Sequence, residues 1–133
     1  MKLLRRFMRD ETGASAAEFA MVVPAVLILT FGAIASGVMM YTVVKLQHAT
    51  ETSARCLSAQ RSDCSLSDIT TYATGYYSGP AINGLVFTPS WDDTRRCYKV
   101  TASGTFSFFM GQGLLSVPVY TQACYPGFES EEV

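Results

Sequence analysis

Between Glu18 and Lys45 the chain carries no formal charge for 26 residues, Phe19 to Val44. Wound as an α-helix, such a run extends roughly 39 Å, more than the roughly 30 Å hydrocarbon thickness of a bilayer, so it is long enough to cross a membrane. A buried core helix of this kind needs a large soluble shell, and the rest of a 133-residue chain is too short to supply one. A cleavable secretory signal is the other rival. Ala33-Ile34-Ala35 offers a small-x-small site, but the charged region ahead of it would include Glu18, and the sequence stays apolar through Val44. Ten basic residues balance eleven acidic ones in a chain that is 49% apolar, which argues against disorder and against nucleic-acid binding through a basic field.

The charges are unevenly placed. Lys2, Arg5, Arg6 and Arg9 stand against Asp10 and Glu11, so residues 1–13 sum to +2 and the remainder to −3. A basic segment ahead of an apolar run places the N-terminus in the cytoplasm and residues beyond about Val44 outside. Within the run, Gly32 with Ser36 and Ala33 with Gly37 form two overlapping small-x-x-x-small pairs, which let helix backbones approach closely, although small residues are common in membrane helices generally. Pro24 removes the amide that would bond the Ala20 carbonyl and predicts a kink or loosened turn.

At the junction stands Arg9-Asp10-Glu11-Thr12-Gly13-Ala14-Ser15-Ala16-Ala17-Glu18-Phe19-Ala20. Read locally, Ser15-x-x-Glu18 is a helix capping box. Read whole, Gly13, the four small residues after it, Glu18 followed by aromatic Phe19, and the long apolar helix resemble a class 3 (type IV-like) prepilin signal, that of the TadE/TadF-like minor pilins of tight-adherence systems. Arg5-Arg6-Phe7 upstream, Pro24 and the run ending in Phe31-Gly32 extend the likeness over about 30 residues, and the strands Tyr98–Thr101 and Val119–Ala123 resemble that family's ectodomain more weakly. Many class 3 substrates have Tyr where this chain has Phe19, and the four cysteines are not a general family mark.

The resemblance implies cleavage between Gly13 and Ala14 by a membrane prepilin peptidase on the cytoplasmic face, with the apolar helix retained. It implies that Glu18 pairs with the new ammonium of Ala14, in its own or a neighbouring subunit, because an unpaired carboxylate in apolar surroundings is costly. The implied partners are the prepilin peptidase, major and minor pilin subunits, the inner-membrane assembly platform and membrane lipid, with no nucleic acid and no cofactor. The implied location is the bacterial inner membrane, with the C-terminal domain periplasmic and, after processing, in the pilus.

Past the membrane, Leu46, Ala49, Ser53 and Leu57 recur at helical spacing, and Glu51 and Arg55 form an i,i+4 pair, so the helix continues as a stalk over residues 45–60. His48 is the only histidine and has no partner for metal binding or catalysis. Ser65–Thr74 predicts a second helix, capped by Ser65 or Ser67 and ended by Gly75. Leu85–Thr88, Arg96–Phe109 and Val117–Tyr125 are rich in β-branched and aromatic residues and predict an antiparallel sheet against the helix, making an α+β domain over residues 61–133.

Cys56, Cys64, Cys97 and Cys124 all follow the apolar run, as expected of disulfides in an oxidising compartment; with no C-x-x-C and one histidine, a zinc site is the poorer reading. A hairpin turning near Gly111-Gln112, in a register summing to 221, sets Cys97 opposite Cys124 and leaves Cys56 with Cys64. Closing these loops is worth about 2.6 and about 3.6 kcal/mol for Cys56–Cys64 and Cys97–Cys124 respectively.

The hairpin end holds Phe106, Phe108, Phe109, Leu114 and Leu115, which either cap the domain core or form a contact for another subunit or the membrane interface. Trp91 is either core or a stacking platform for a glycan. No triad or P-loop pattern is present, and Asp92-Asp93 beside Arg95-Arg96 reads as a solvated turn, so no enzyme is expected. Two functions remain: a processed minor pilin, or a membrane-anchored periplasmic binding or adaptor protein whose leader is kept.

Overall fold

The structure is a computed structural model that describes residues 12–62, 64–108 and 115–127, with side chains from Ser15 onward. In chain order the elements are α1 (Thr12–Ser58), α2 (Ile69–Tyr76), β1 (Asn83–Asp92), β2 (Cys97–Ser107) and β3 (Ser116–Pro126). Residues up to Gly37 form one compact unit and residues from Val38 onward a second.

The first unit is helical. Here α1 is apolar on every side and its side chains are exposed, with Met21 81% and Leu29 74% accessible, so this length of helix has no soluble core to bury it. The helix continues through Pro24. Thr30 and Ser36 donate their hydroxyls to the carbonyls of Val26 and Gly32, at 2.7 and 2.8 Å, and so present little free polarity.

From Val38 onward α1 becomes one-sided. Thr42, Leu46, the neighbours Ala49 and Thr50, Ser53 and Leu57 are buried, and apart from that adjacent pair they recur at steps of three and four that mark one helix face. The hydroxyls on this face are satisfied, because Thr42, Thr50 and Ser53 donate to the carbonyls of Val38, Leu46 and Ala49. The expected Glu51–Arg55 ion pair does not form. Glu51 accepts instead from Gln47 at 3.1 Å, and the Arg55 guanidinium lies over the Tyr125 ring, 4.8 Å from its centroid, where stacking competes with a solvent-screened pair.

The three strands form an antiparallel meander in the order β1-β2-β3. Alternation puts Phe87, Val100, Ala102, Phe106, Val119, Thr121 and Ala123 on one face, all buried and facing the buried stripe of α1. The buried contact between Thr50 Oγ1 and Thr121 Oγ1, at 3.0 Å, joins helix to sheet. Since the single Thr50 proton goes to Leu46, Thr121 is the donor there. Between Asn83 and Val86 strand β1 carries one extra residue, a bulge opposite Gly104. A Cβ on Gly104 would strike the Ile82 side chain and lie 3.3 Å from Asn83 O and Leu85 Cα, so this position requires glycine's close backbone approach.

The disulfides are Cys56–Cys64 and Cys97–Cys124, the pairs the hairpin argument favours. The register differs from the expected one. Cys97 faces Pro126 and Cys124 faces Lys99, so the pairs sum to 223 rather than 221. A shift of two keeps every side chain on its face, and the cysteines bond as diagonal neighbours with Cα atoms 5.6 Å apart. That bond lies on the face turned away from α1, whereas Cys56–Cys64 belongs to the core and holds the chain reversal at the end of α1, where Gln60 takes a φ of 49°.

The second helix begins later than the sequence predicts. Ser65 and Ser67 bond each other at 2.7 Å, and Ser65 donates to the Asp68 carboxylate at 2.6 Å, so these groups build a preceding turn and make no side-chain cap on α2. Gly75 lies inside the helix, which runs to Tyr76. Buried Ile69 and Ala73 turn inward, and Thr70 donates to the Phe87 carbonyl at 3.3 Å.

Thr50→Val strands the Thr121 hydroxyl and is expected to cost about 1–3 kcal/mol in chemical denaturation, while Thr50→Val with Thr121→Val recovers much of that loss. Equal additive losses would mean the contact contributes nothing. Non-reducing peptide mapping should return Cys56–Cys64 and Cys97–Cys124; a bond between Cys56 and Cys97 or Cys124 would contradict the register.

Candidate functional site

Because α1 starts at Thr12, Gly13 and Ala14 lie in its first turn. Ser15 is therefore inside the helix and is not its N-cap, which removes the capping-box reading. The opening amides of a helix lack intrahelical acceptors, and glycine costs about 1 kcal/mol in helix propensity, so the turn holding the Gly13–Ala14 bond is among the cheapest to unwind. Glu18 follows Ala14 by four residues, which places both on one helix face. Glu18 is exposed, and Phe19 beside it is 71% accessible.

Further along, Ala33, Ser36, Gly32 and Gly37 share a face, at i,i+4 spacing. A Cβ at Gly32 or Gly37 would meet nothing within 4 Å, so nothing in the single chain occupies that face.

At the hairpin end, Phe106 is buried and meets half-buried Phe108 edge-on, centroids 4.9 Å apart; these two cap the core. Leu115 is 58% accessible. Phe109 and Leu114 lie outside the described residues. Trp91 is half-buried and edge-on to Tyr98 at 4.8 Å, with its Nε1 buried and unpartnered.

One cluster was missed in the sequence. Tyr41 and Lys45 sit a turn apart on α1, with the Lys45 ammonium 5.6 Å from the Tyr41 ring centroid. Tyr77 comes near Tyr41 from the segment after α2 and donates to the Pro80 carbonyl at 2.6 Å. The i,i+4 spacing of Tyr41 and Lys45 was a readable signal; the approach of Tyr77 depends on tertiary packing.

Catalytic and metal chemistry find little support among the described residues. Asp92 lies near the sulfurs of Cys97 and Cys124, but both are consumed in the disulfide and offer no thiolate. The Asp92 carboxylate accepts from the amides of Thr94 and Arg95, each at 3.1 Å, building the exposed turn that precedes β2. A shallow groove of about 400 Å³ beside Cys64, lined by Leu57, Arg61, Leu66 and Tyr98, brings together no nucleophile and base.

Fold and site define a class: among the described residues, one apolar helix compatible with a membrane anchor and a small α+β domain with two disulfides. Residues 13–55, about a third of the chain, match the model of the family described as TadE-like protein. The match makes this segment similar to a TadE-like domain. No curated protein and no solved structure matches the chain.

Burial, and then the nearby Tyr41, raise the Tyr77 pKa above its ordinary 10.0. A raised folded-state value means that the stability from the neutral phenol is complete below the unfolded pKa and is lost as pH rises through the folded one. Tyr77→Phe is expected to lower stability by about 1 kcal/mol at neutral pH through loss of the Pro80 hydrogen bond. It should also flatten the alkaline fall in melting temperature; an unchanged alkaline slope would assign that fall to other groups.

Proposed function

We propose that this chain is a minor pilin of a Tad-type pilus, made as a precursor whose residues 1–13 are a basic leader removed after Gly13 by prepilin peptidase at the cytoplasmic face. The observation that carries this reading is the TadE-like match, which begins at Gly13 and runs through the junction and the whole apolar run. Residues 14–44 serve first as a membrane anchor, N-terminus inside, and then as the surface against which other pilin helices pack. Residues 45–60, expected as a stalk, are instead the helical side of the periplasmic domain, since Leu46, Ala49 and Leu57 are buried in its core.

The chemistry at the junction follows from that role. A peptidase needs an extended backbone, and unwinding the first turn exposes a bond flanked by Gly13 and Ala14, which add little bulk. Cleavage creates an ammonium at Ala14, one turn from the Glu18 carboxylate. Pairing these charges, within a subunit or with its neighbour, lowers the cost of holding Glu18 in apolar surroundings and favours insertion beside an existing subunit. The unoccupied face of Gly32, Ala33, Ser36 and Gly37 supports close packing against a second helix. Among the partners, the assembly platform and the other pilins would meet the helix, and the ectodomain would take part in initiation or in contact with surfaces.

Gly13→Val is expected to leave the precursor uncleaved by a co-expressed prepilin peptidase, read as retention of the higher-mass band. Glu18→Ala should be cleaved normally yet recovered in sheared pili at well under wild-type abundance. Normal assembly of the Glu18→Ala protein would refute the charge-pairing role, and efficient cleavage of Gly13→Val would refute the processing site.

A further inference from the structure

Twenty helical residues span the hydrocarbon core, and the uncharged run has 26, so Met39 to Val44 are surplus to a crossing that begins at Phe19. These six residues belong to the second unit. Thr42 is buried in the domain, and Met39 and Val43 pack on its core. The other side of the same turns stays bare, with Met40 70%, Tyr41 49% and Val44 61% accessible.

Other side chains stand at that level. Strand β3 runs in the same direction as α1: Thr121 meets Thr50, and Pro126 accepts from Ser58, so five strand residues match eight of helix. Five residues in the opposite direction, Thr121 back to Ser116, reach the level of Thr42. Leu115 and Phe108, joined by the bond from the Phe108 amide to the Leu115 carbonyl at 3.0 Å, therefore lie beside the last turns of the apolar run. The segment after α2 leads past Ile82, which lies against Gly104, into the start of β1 at this same end of the sheet, and it follows Tyr77, packed on the core, and Tyr76, 49% accessible.

We infer that this rim, Met40, Tyr41, Val44, Tyr76 and Leu115, seats the domain on the headgroup region of the bilayer that α1 crosses. The inference rests on α1 being a membrane anchor. Tyrosine suits that depth because its ring is apolar and its hydroxyl is wet, and Lys45, stacked over Tyr41, puts an ammonium at the level of lipid phosphates. Continuity selects lipid as the occupant: the rim surrounds the point at which the membrane-crossing sequence ends, and the domain covers only one side of the surplus turns. The seat fixes the height of the domain above the membrane before any assembly.

The test uses the full chain in vesicles of phosphatidylcholine and phosphatidylglycerol, with or without bromines on the acyl chains just below the ester groups. Tyr76→Trp and Leu115→Trp place reporters on two separate elements of the rim. Tyr120→Trp, an exposed site on the outward face of β3, is the control. After subtraction of the Trp91 signal of the parent chain, emission from the two rim reporters should fall about twofold with brominated lipid, while Tyr120→Trp is unaffected. Non-reducing disulfide maps check the fold of each variant, and either rim reporter alone decides the result. Protein that floats with the vesicles but shows no more quenching at the rim than at Tyr120 overturns the seat and leaves the anchor standing; protein that does not float overturns both. A blue shift at the rim that appears only as protein density in the membrane rises assigns it to a second copy and also overturns the inference.

Discussion

The whole arrangement depends on seating one face of the second half of α1 against the inward face of a three-stranded sheet. Leu46, Ala49, Thr50, Ser53 and Leu57 supply the helix side, and Phe87, Val100, Ala102 and Thr121 are buried on the sheet side. Full burial of a side chain such as Leu46, Phe87 or Val100 is worth roughly 1.5–3 kcal/mol. A domain this small has few such residues, so a hydroxyl pair at the centre and two covalent ties matter proportionately. Thr50 and Thr121 bury their methyl groups and tie helix to sheet through one hydroxyl bond, and the strand registers carry that alignment to both ends of the domain.

The two parts of α1 differ in composition. From Phe19 to Gly37 its residues carry no charge and are apolar all round, which suits lipid or other helices. From Lys45 onward the apolar residues keep mainly to one stripe, and the hydroxyls on the buried face bond back to the helix, which suits a small protein core. The changeover is gradual, because the uncharged run outlasts the hydrocarbon thickness by about two turns. In those turns the domain covers one side and leaves Met40, Tyr41 and Val44 bare.

Much of this was legible in the residues. The run from Phe19 to Val44 announced the helix through its length alone, and Leu46, Ala49, Ser53 and Leu57, read as one face, are all buried. The three strands fall where β-branched and aromatic residues gather, although β1 extends to Asp92, beyond the expected Thr88, because pairing with β2 carries it on. Parity made the Cys97–Cys124 pairing robust to a register error of two, since alternation fixes the face more tightly than the turn fixes the partner. Local signals failed where side chains had a better offer elsewhere. Ser65 and Ser67 were taken by Asp68 and by each other, and Arg55 by the ring of Tyr125. The junction chemistry proposed here rests on the sequence pattern of Gly13, Glu18 and Phe19, whereas Tyr41, Tyr76 and Leu115 stand far apart in the chain and offer no such pattern.

On the proposed function one chain takes two successive forms, a precursor with a basic leader and a mature subunit that keeps its apolar helix. Intact mass spectrometry of the protein extracted from membranes that contain an active prepilin peptidase tests it most directly. The account predicts a species lacking residues 1–13, beginning at Ala14 and retaining both disulfides. A chain that still carries Met1 to Gly13 under those conditions, or one cut within the apolar run near Ala35, would contradict it.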